Sequence, residues 1–136
     1  MAIKTPYLAV DGIIKLFDYE DNFIGIVLIE RKNHPVGLAL PGGFVEVGET
    51  VEEALIREMK EETNLDVEII ELFNVYSDPD RDPRFHTVSL VFKCKAKGIP
   101  KASSDAKSVK VYKLEDIPLD KLVFDHKEIL KDFINS

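Results

Sequence analysis

Glu58 and Glu62 stand four residues apart in a glutamate-rich stretch, with Glu61 between them and Arg57 just before. At about 100° per residue, a helix through this stretch puts Glu58 and Glu62 in the same arc as Val51, Ala54 and Leu55. Most glutamate-rich helices simply face solvent, but here two carboxylates fall on the apolar side. Like charges at i, i+4 repel, and beside a core they cost more unless something compensates. A divalent cation compensates them, and magnesium in particular takes oxygen ligands, keeps waters and is completed by substrate phosphates. Three carboxylates in one arc, open at one side, suit that arrangement. Gly42 and Gly43 lie just upstream. They either make a tight bend only, or bring bare backbone to a metal and a phosphate.

The elements that must position these groups are legible as patterns. Thr50-Val-Glu-Glu53 fits a capping box that opens the helix. The helix runs to about Thr63, and Asn64 sits where a left-handed cap residue belongs. Upstream, an apolar run from Leu8 to Leu16 interrupted by Asp11-Gly12, a turn at 18–22, and a second run from Phe23 to Ile29 predict a hairpin. Leu38 to Gly43 reads as one short extended piece ending in a glycine bend. Downstream, strands are predicted over 67–76, 86–96 and 109–112. Val88, Leu90, Phe92 and Cys94 should share one face. The segment 77–84, SDPDRDPR, is a loop, and 124–134 carries a helical pattern with Ile129, Leu130 and Phe133 as its apolar side. Mixed strands and two helices predict an α/β fold in which helices cover a mixed sheet.

Composition limits the classes of function. A chain of 136 residues suggests one domain. Its net charge of −7 argues against broad binding of a nucleic-acid backbone. The lone Cys94 cannot form an internal disulfide, no apolar run reaches the ~20 residues of a membrane span, and no signal peptide is visible. A cytoplasmic protein without membrane or nucleic-acid partners is the expectation.

The segment Gly43 to Leu65 resembles the Nudix box. That box is a glycine, five residues, a glutamate, seven residues, then Arg-Glu, an aliphatic residue, any residue, Glu-Glu, any residue, Gly and a final aliphatic. Gly43, Glu49, Arg57, Glu58, Met59, Glu61, Glu62 and Leu65 stand at those positions, with Asn64 in place of the usual glycine. The resemblance implies a Nudix α/β/α sandwich with a mixed sheet over residues 1–136. It implies catalytic roles for Glu49, Arg57, Glu58, Glu61 and Glu62. Glu58 and Glu62, with Glu61 and the Gly42 carbonyl, would hold magnesium, for which manganese could substitute. Arg57 would orient Glu49 and the neighbouring carboxylates by charge-assisted hydrogen bonds. The general base often lies outside the box in this family, and Asp105 is a candidate by position. A plain solvated loop residue is an equal reading of it.

Substrate choice is not in the box. Pro79, about 15 residues beyond it, resembles the ADP-ribose pyrophosphatase group, as do the opening Thr5 to Gly12 and the late Phe124-Asp-His126. The implied substrate is a small nucleotide, ADP-ribose, cleaved to AMP and ribose 5-phosphate. A nucleoside triphosphate or dinucleoside polyphosphate hydrolase is the alternative, and a non-catalytic ADP-ribose sensor a further one. Relatives are often dimers, so a homodimer fits the resemblance. Arg31, Gly43, Pro79, Arg81 and Arg84 are the candidate substrate-binding residues. For Arg81 and Arg84 the competing reading is pairing with Asp78, Asp80 and Asp82 in an exposed turn. His86 is expected at a strand edge and His126 in a capping or packing role. Tyr76 and Phe85 are expected in the core.

Overall fold

The computed structural model describes residues 2–102 and 106–136. Seven strands form one mixed sheet: β1 (Tyr7–Phe17), β2 (Phe23–Arg31), β3 (Gly37–Ala39), β4 (Gly42–Phe44), β5 (Glu68–Tyr76), β6 (Thr87–Lys97) and β7 (Ala106–Tyr112). The order is β3-β2-β1-β6-β5, with β4 added to β1 and β7 to β2. Pairing of β1 with β6 is parallel and runs the length of both strands, from Tyr7 opposite Thr87 to Phe17 opposite Lys97. The expected hairpin is present, but β1 meets β2 only through Lys15 to Phe17. Its other half, Ala9 to Asp11, pairs with β4. The sheet therefore forks along β1.

Both faces are covered, which makes the predicted sandwich. The helix α1 (Val51–Thr63) packs Ala54, Leu55 and Met59 against Val10, Ile14, Leu16, Phe92 and Cys94. The second helix, α2 (His126–Ile134), packs Ile129, Leu130 and Phe133 against Ile13, Ile26, Leu28 and Val91 on the other face. Strand side chains alternate between faces, so β1 gives Val10 and Ile14 to one helix and Asp11 and Ile13 to the other. Gly12 lets α1 come close, because a Cβ there would stand 2.6 Å from the Met59 sulfur. The helix starts where the capping box predicts: Glu53 N–H donates to Thr50 Oγ1 and Thr50 N–H to Glu53 Oε1. It stops at Asn64, which adopts φ 60°, ψ 21°.

Two expectations need correction. Leu38 to Gly43 is two strands rather than one piece, because β3 pairs with β2 while β4 crosses to β1. The second helix begins at His126, because Phe124 has φ 57° and cannot belong to a right-handed helix. The face formed by Leu90, Phe92 and Cys94 is as expected. The opposite face of β6 is buried too, through Thr87, Ser89 and Val91, since α2 and the 77–86 loop cover it. Among the described residues no helix is long and apolar enough to cross a membrane.

Candidate active site

At the fork of the sheet lies an open cavity of about 290 Å³. One wall is the carboxylate face of α1: Glu58, Glu61 and Glu62. Arg31, Arg81 and Arg84 form an arginine wall of the same cavity, which Asp11, His126, Phe44 and Phe124 also line.

Arg57 organises the acidic wall. Its guanidinium donates to both oxygens of Glu49, at 3.0 and 2.6 Å, and to Glu58 at 2.7 Å, Glu61 at 3.3 Å and the Phe44 carbonyl at 3.1 Å. A bidentate, charge-assisted pair of this kind fixes geometry as well as adding energy. It holds the Glu49 carboxyl below its ordinary range and the Arg57 pKa above its own. Glu58 and Glu62 go the other way. Burial pushes Glu58 up despite Arg57. Burial pushes Glu62 up to about 7, against the one backbone hydrogen bond it accepts, from Gly42 N–H at 2.9 Å. The arc read from the sequence is therefore real: both carboxylates face inward, while Glu61 is half-exposed.

The two glycines are there because nothing larger fits. A Cβ on Gly43 would fall inside the Glu58 carboxylate, and one on Gly42 would fall on Asp11 and the Val10 carbonyl. Gly12 N–H bonds the Pro41 carbonyl and Val45 N–H the Leu8 carbonyl, so Gly42 lies at a non-bonded position of the antiparallel ladder. Its carbonyl therefore turns away from β1, to the side where its amide meets Glu62. Two inward carboxylates and a carbonyl on one side of an open cavity form the all-oxygen donor set that a hard divalent cation takes. Among the described residues no three His, Cys, Asp or Glu side chains converge as a preformed cage. That fits a cation held by few protein ligands and completed by water and phosphate, with Glu58 Oε1 still turned to Arg57.

The arginine wall departs from what the loop sequence suggested. Arg81 is neither exposed nor paired within its own turn. It is buried, gives Nε and Nη2 to the two oxygens of Asp125 at 2.9 and 2.7 Å, and donates Nη1 to the Thr87 carbonyl. Arg84 does pair within the loop, with Asp82 at 3.1 and 2.9 Å, yet it also lies over the Phe44, Phe85 and Phe124 rings beside the cavity. Arg31 ends β2 and donates Nε to the Pro35 carbonyl. Pro79 is exposed in the Asp78–Arg81 turn and does not line the cavity, so it can act only through the shape of that turn. Asp105 lies outside the described residues. His86 contacts the Ser77 carbonyl away from the cavity. Tyr76 is a core residue whose hydroxyl donates to Asp132. Phe85 is not a core residue: it is 38% exposed and stacks on Tyr7.

Several site residues were not singled out from sequence. Asp11 is buried, accepts a hydrogen bond from Ser89 Oγ, and has its pKa raised to about 6 by burial. Its signal was an acid interrupting an apolar strand. His126 is also buried and accepts the Leu40 N–H at Nδ1, 2.9 Å away. Its ring is thus neutral with the proton on Nε2, and burial holds its pKa down at about 3. Asp125, the partner of Arg81, stands 44 residues further along, and no local spacing announces it.

Residues 6–133 match the model of the NUDIX domain. The chain belongs to the Nudix family. It is 52% identical over 132 residues to an ADP-ribose pyrophosphatase of Methanocaldococcus jannaschii, covering 95% of this chain and 73% of that one. In structure it resembles a bifunctional NMN adenylyltransferase/ADP ribose pyrophosphatase from Francisella tularensis complexed with AMP and Mn ion, with TM-score 0.80 and 29% identity. The match covers 99% of this chain and 43% of that one, so the chain spans less than half of this longer relative. It also resembles the NUDIX domain of Shewanella oneidensis NrtR complexed with ADP ribose, with TM-score 0.78, 25% identity and coverage of 98% and 89%.

Proposed function

We propose that this chain is a divalent-metal-dependent pyrophosphohydrolase that cleaves ADP-ribose, with water, to AMP and ribose 5-phosphate. The observation that carries the reading is the cavity itself. Buried Glu62, held only by a backbone amide, and half-buried Glu58, which shares Arg57 with Glu49 and Glu61, line a space of ligand size together with Arg31, Arg81 and Arg84. A metal–diphosphate complex is complementary to both walls at once. The identity with the M. jannaschii relative and the ADP ribose held by the Shewanella neighbour support the choice of substrate.

Glu58 and Glu62, with the Gly42 carbonyl and Glu61 nearby, would hold magnesium; manganese is an alternative ion. When bound, the metal supplies charge neutralisation for the diphosphate oxygens and activation of water. The residues of the chain do the rest. Arg57, locked on Glu49, fixes the rotamer of Glu58. Gly43 keeps the space beside that carboxylate open. Arg31 and Arg84 present guanidiniums to the substrate's anionic groups, and buried Arg81 holds the wall on which Arg84 sits. Asp105 is the candidate to take the proton of the attacking water.

A substrate panel in magnesium tests this, with AMP, ribose 5-phosphate and inorganic phosphate as readouts. ADP-ribose should show a higher specificity constant than any common nucleoside triphosphate or dinucleoside polyphosphate. Preference for one of those by tenfold or more, about 1.4 kcal/mol in the transition state, would reject ADP-ribose while leaving pyrophosphohydrolysis standing.

A further inference from the structure

Phe124 has a backbone conformation that its side chain disfavours. Among the described non-glycine residues only Asp21, Asn64 and Phe124 have positive φ. Asp and Asn visit that region readily because a short polar side chain can bond locally, whereas a bulky aromatic there is an outlier. The residue sits second in a turn closed by His126 N–H on the Val123 carbonyl, and Asp125 follows with φ −100°. Positive φ at the second position followed by negative φ is the pattern of a type II′ turn, where glycine is the ordinary choice.

The neighbours explain why the conformation persists. Val123 N–H bonds the Leu38 carbonyl, Asp125 takes both Arg81 donors, and His126 accepts from Leu40. Residues on either side of Phe124 are thus tied to two other segments, the 38–40 stretch and the loop that carries Arg81. They do not explain why the residue is phenylalanine. The ring is only half-buried and belongs to neither of the large apolar clusters. Besides packing on the His126 ring, 5.2 Å away, it meets two cations. The Arg31 guanidinium carbon lies 5.0 Å from its centroid and that of Arg84 lies 5.3 Å from it. All three side chains line the cavity. The two arginines repel, and burial together with Arg84 holds Arg31 below the ordinary arginine range. The negative face of an aromatic ring offsets such repulsion, and stacking fixes the guanidinium plane while leaving its edge for hydrogen bonds.

We propose that Phe124 is a positioning residue for substrate binding, its strained backbone placing the ring so that Arg31 and Arg84 are held together to grip the substrate's diphosphate. Strain tolerated beside a site and offset by its surroundings is what preorganisation requires. This rests on the diphosphate reading of the cavity.

The test uses inorganic pyrophosphate as probe, titrated calorimetrically into the full chain with magnesium present. Phe124→Asn suits the left-handed backbone but removes the ring. It should keep a folded spectrum and weaken pyrophosphate binding by about fivefold or more. Phe124→Tyr keeps the ring and should stay within about twofold of the parent. A merely structural role predicts that binding follows thermal stability, so weaker binding at unchanged stability separates the two. Should Phe124→Asn not fold, Arg31→Lys and Arg84→Lys carry the test. Each keeps the charge and loses the planar stack, and each should weaken binding by a similar factor. The proposal is overturned if Phe124→Asn, or both lysine variants, bind like the parent. It is also overturned if Phe124→Tyr loses as much as Phe124→Asn, or if the parent does not bind pyrophosphate at millimolar concentration. Hydrolysis of ADP-ribose by the parent is scored separately and decides the activity reading on its own.

Discussion

The two walls of the cavity treat charge in opposite ways. On the arginine wall two cations are matched inside the protein: Arg81 with both oxygens of half-buried Asp125, Arg84 with Asp82. On the helix wall Arg57 serves Glu49, Glu58 and Glu61 together, and Glu62 has only a backbone amide. Burial pushes its pKa up to about 7. Charge satisfied internally builds a scaffold. Under the proposed function, charge left with little compensation is where the ligand acts, a cation beside Glu62 and an anion beside Arg31.

The sharpest way to break this contrast is Arg81→Ala. If Arg81 is scaffold, its loss strands the half-buried Asp125 carboxylate and should cost up to about 3–5 kcal/mol of stability. Denaturant unfolding measures it, and a change below about 1 kcal/mol would put Arg81 among surface ion pairs. Glu62→Gln and Glu58→Gln should do the reverse. Turnover should fall by about tenfold to a thousandfold, the scale of losing a metal or electrostatic group, while thermal stability holds or rises. Near-parent turnover in both variants would remove them from the metal site.

His126 sharpens the comparison through pH. Its pKa is depressed in the folded state, to about 3, whereas in the unfolded chain it titrates near 6.5. Below about pH 6.5 the unfolded state therefore binds the extra proton. The stability contributed by the neutral ring is complete above that pH and is lost as pH falls toward 3. Asp11, raised to about 6 by burial, acts in the opposite sense, favouring the folded state more at low pH. The difference between parent and His126→Gln isolates the histidine. The variant should show a flatter loss of melting temperature between pH 6.5 and 4. Parallel curves would place a proton on the folded ring.

How much could be read beforehand follows from distance along the chain. The capping box, the Asn64 cap and the inward arc of Glu58 and Glu62 all depend on residues within one helix, where a fixed angle per residue does the work. The smallest expected effect belongs here: Asn64→Gly should change stability by well under ~1 kcal/mol, and Asn64→Val should cost more, because a β-branched residue strains φ 60°. Equal stability of the Val variant would contradict the observed cap. Pairing within the loop holds for Arg84 with Asp82, but not for Arg81, whose partner is non-local. Asp78, Asp80 and Asp82 offered Arg81 nearer partners, but only Asp125 reaches it once α2 packs on the sheet. Asp11 and Ser89 meet across a parallel strand pair, which no spacing in the sequence encodes. Phe124 could be seen as helical by periodicity, and nothing in its own side chain signals a left-handed turn.

The long parallel pairing of β1 with β6 also has a meaning for synthesis. Tyr7 cannot meet Thr87 until the intervening chain has left the ribosome, and at roughly 5–20 residues per second β1 waits several seconds for its neighbour. Contacts so distant in sequence also slow the folding search. The glutamate helix can form early from local signals, but Arg81 has no Asp125, and Leu40 no histidine acceptor, until residues 125 and 126 emerge. A nascent chain therefore carries the glutamate helix well before the salt bridge that holds Arg81 in the arginine wall can form.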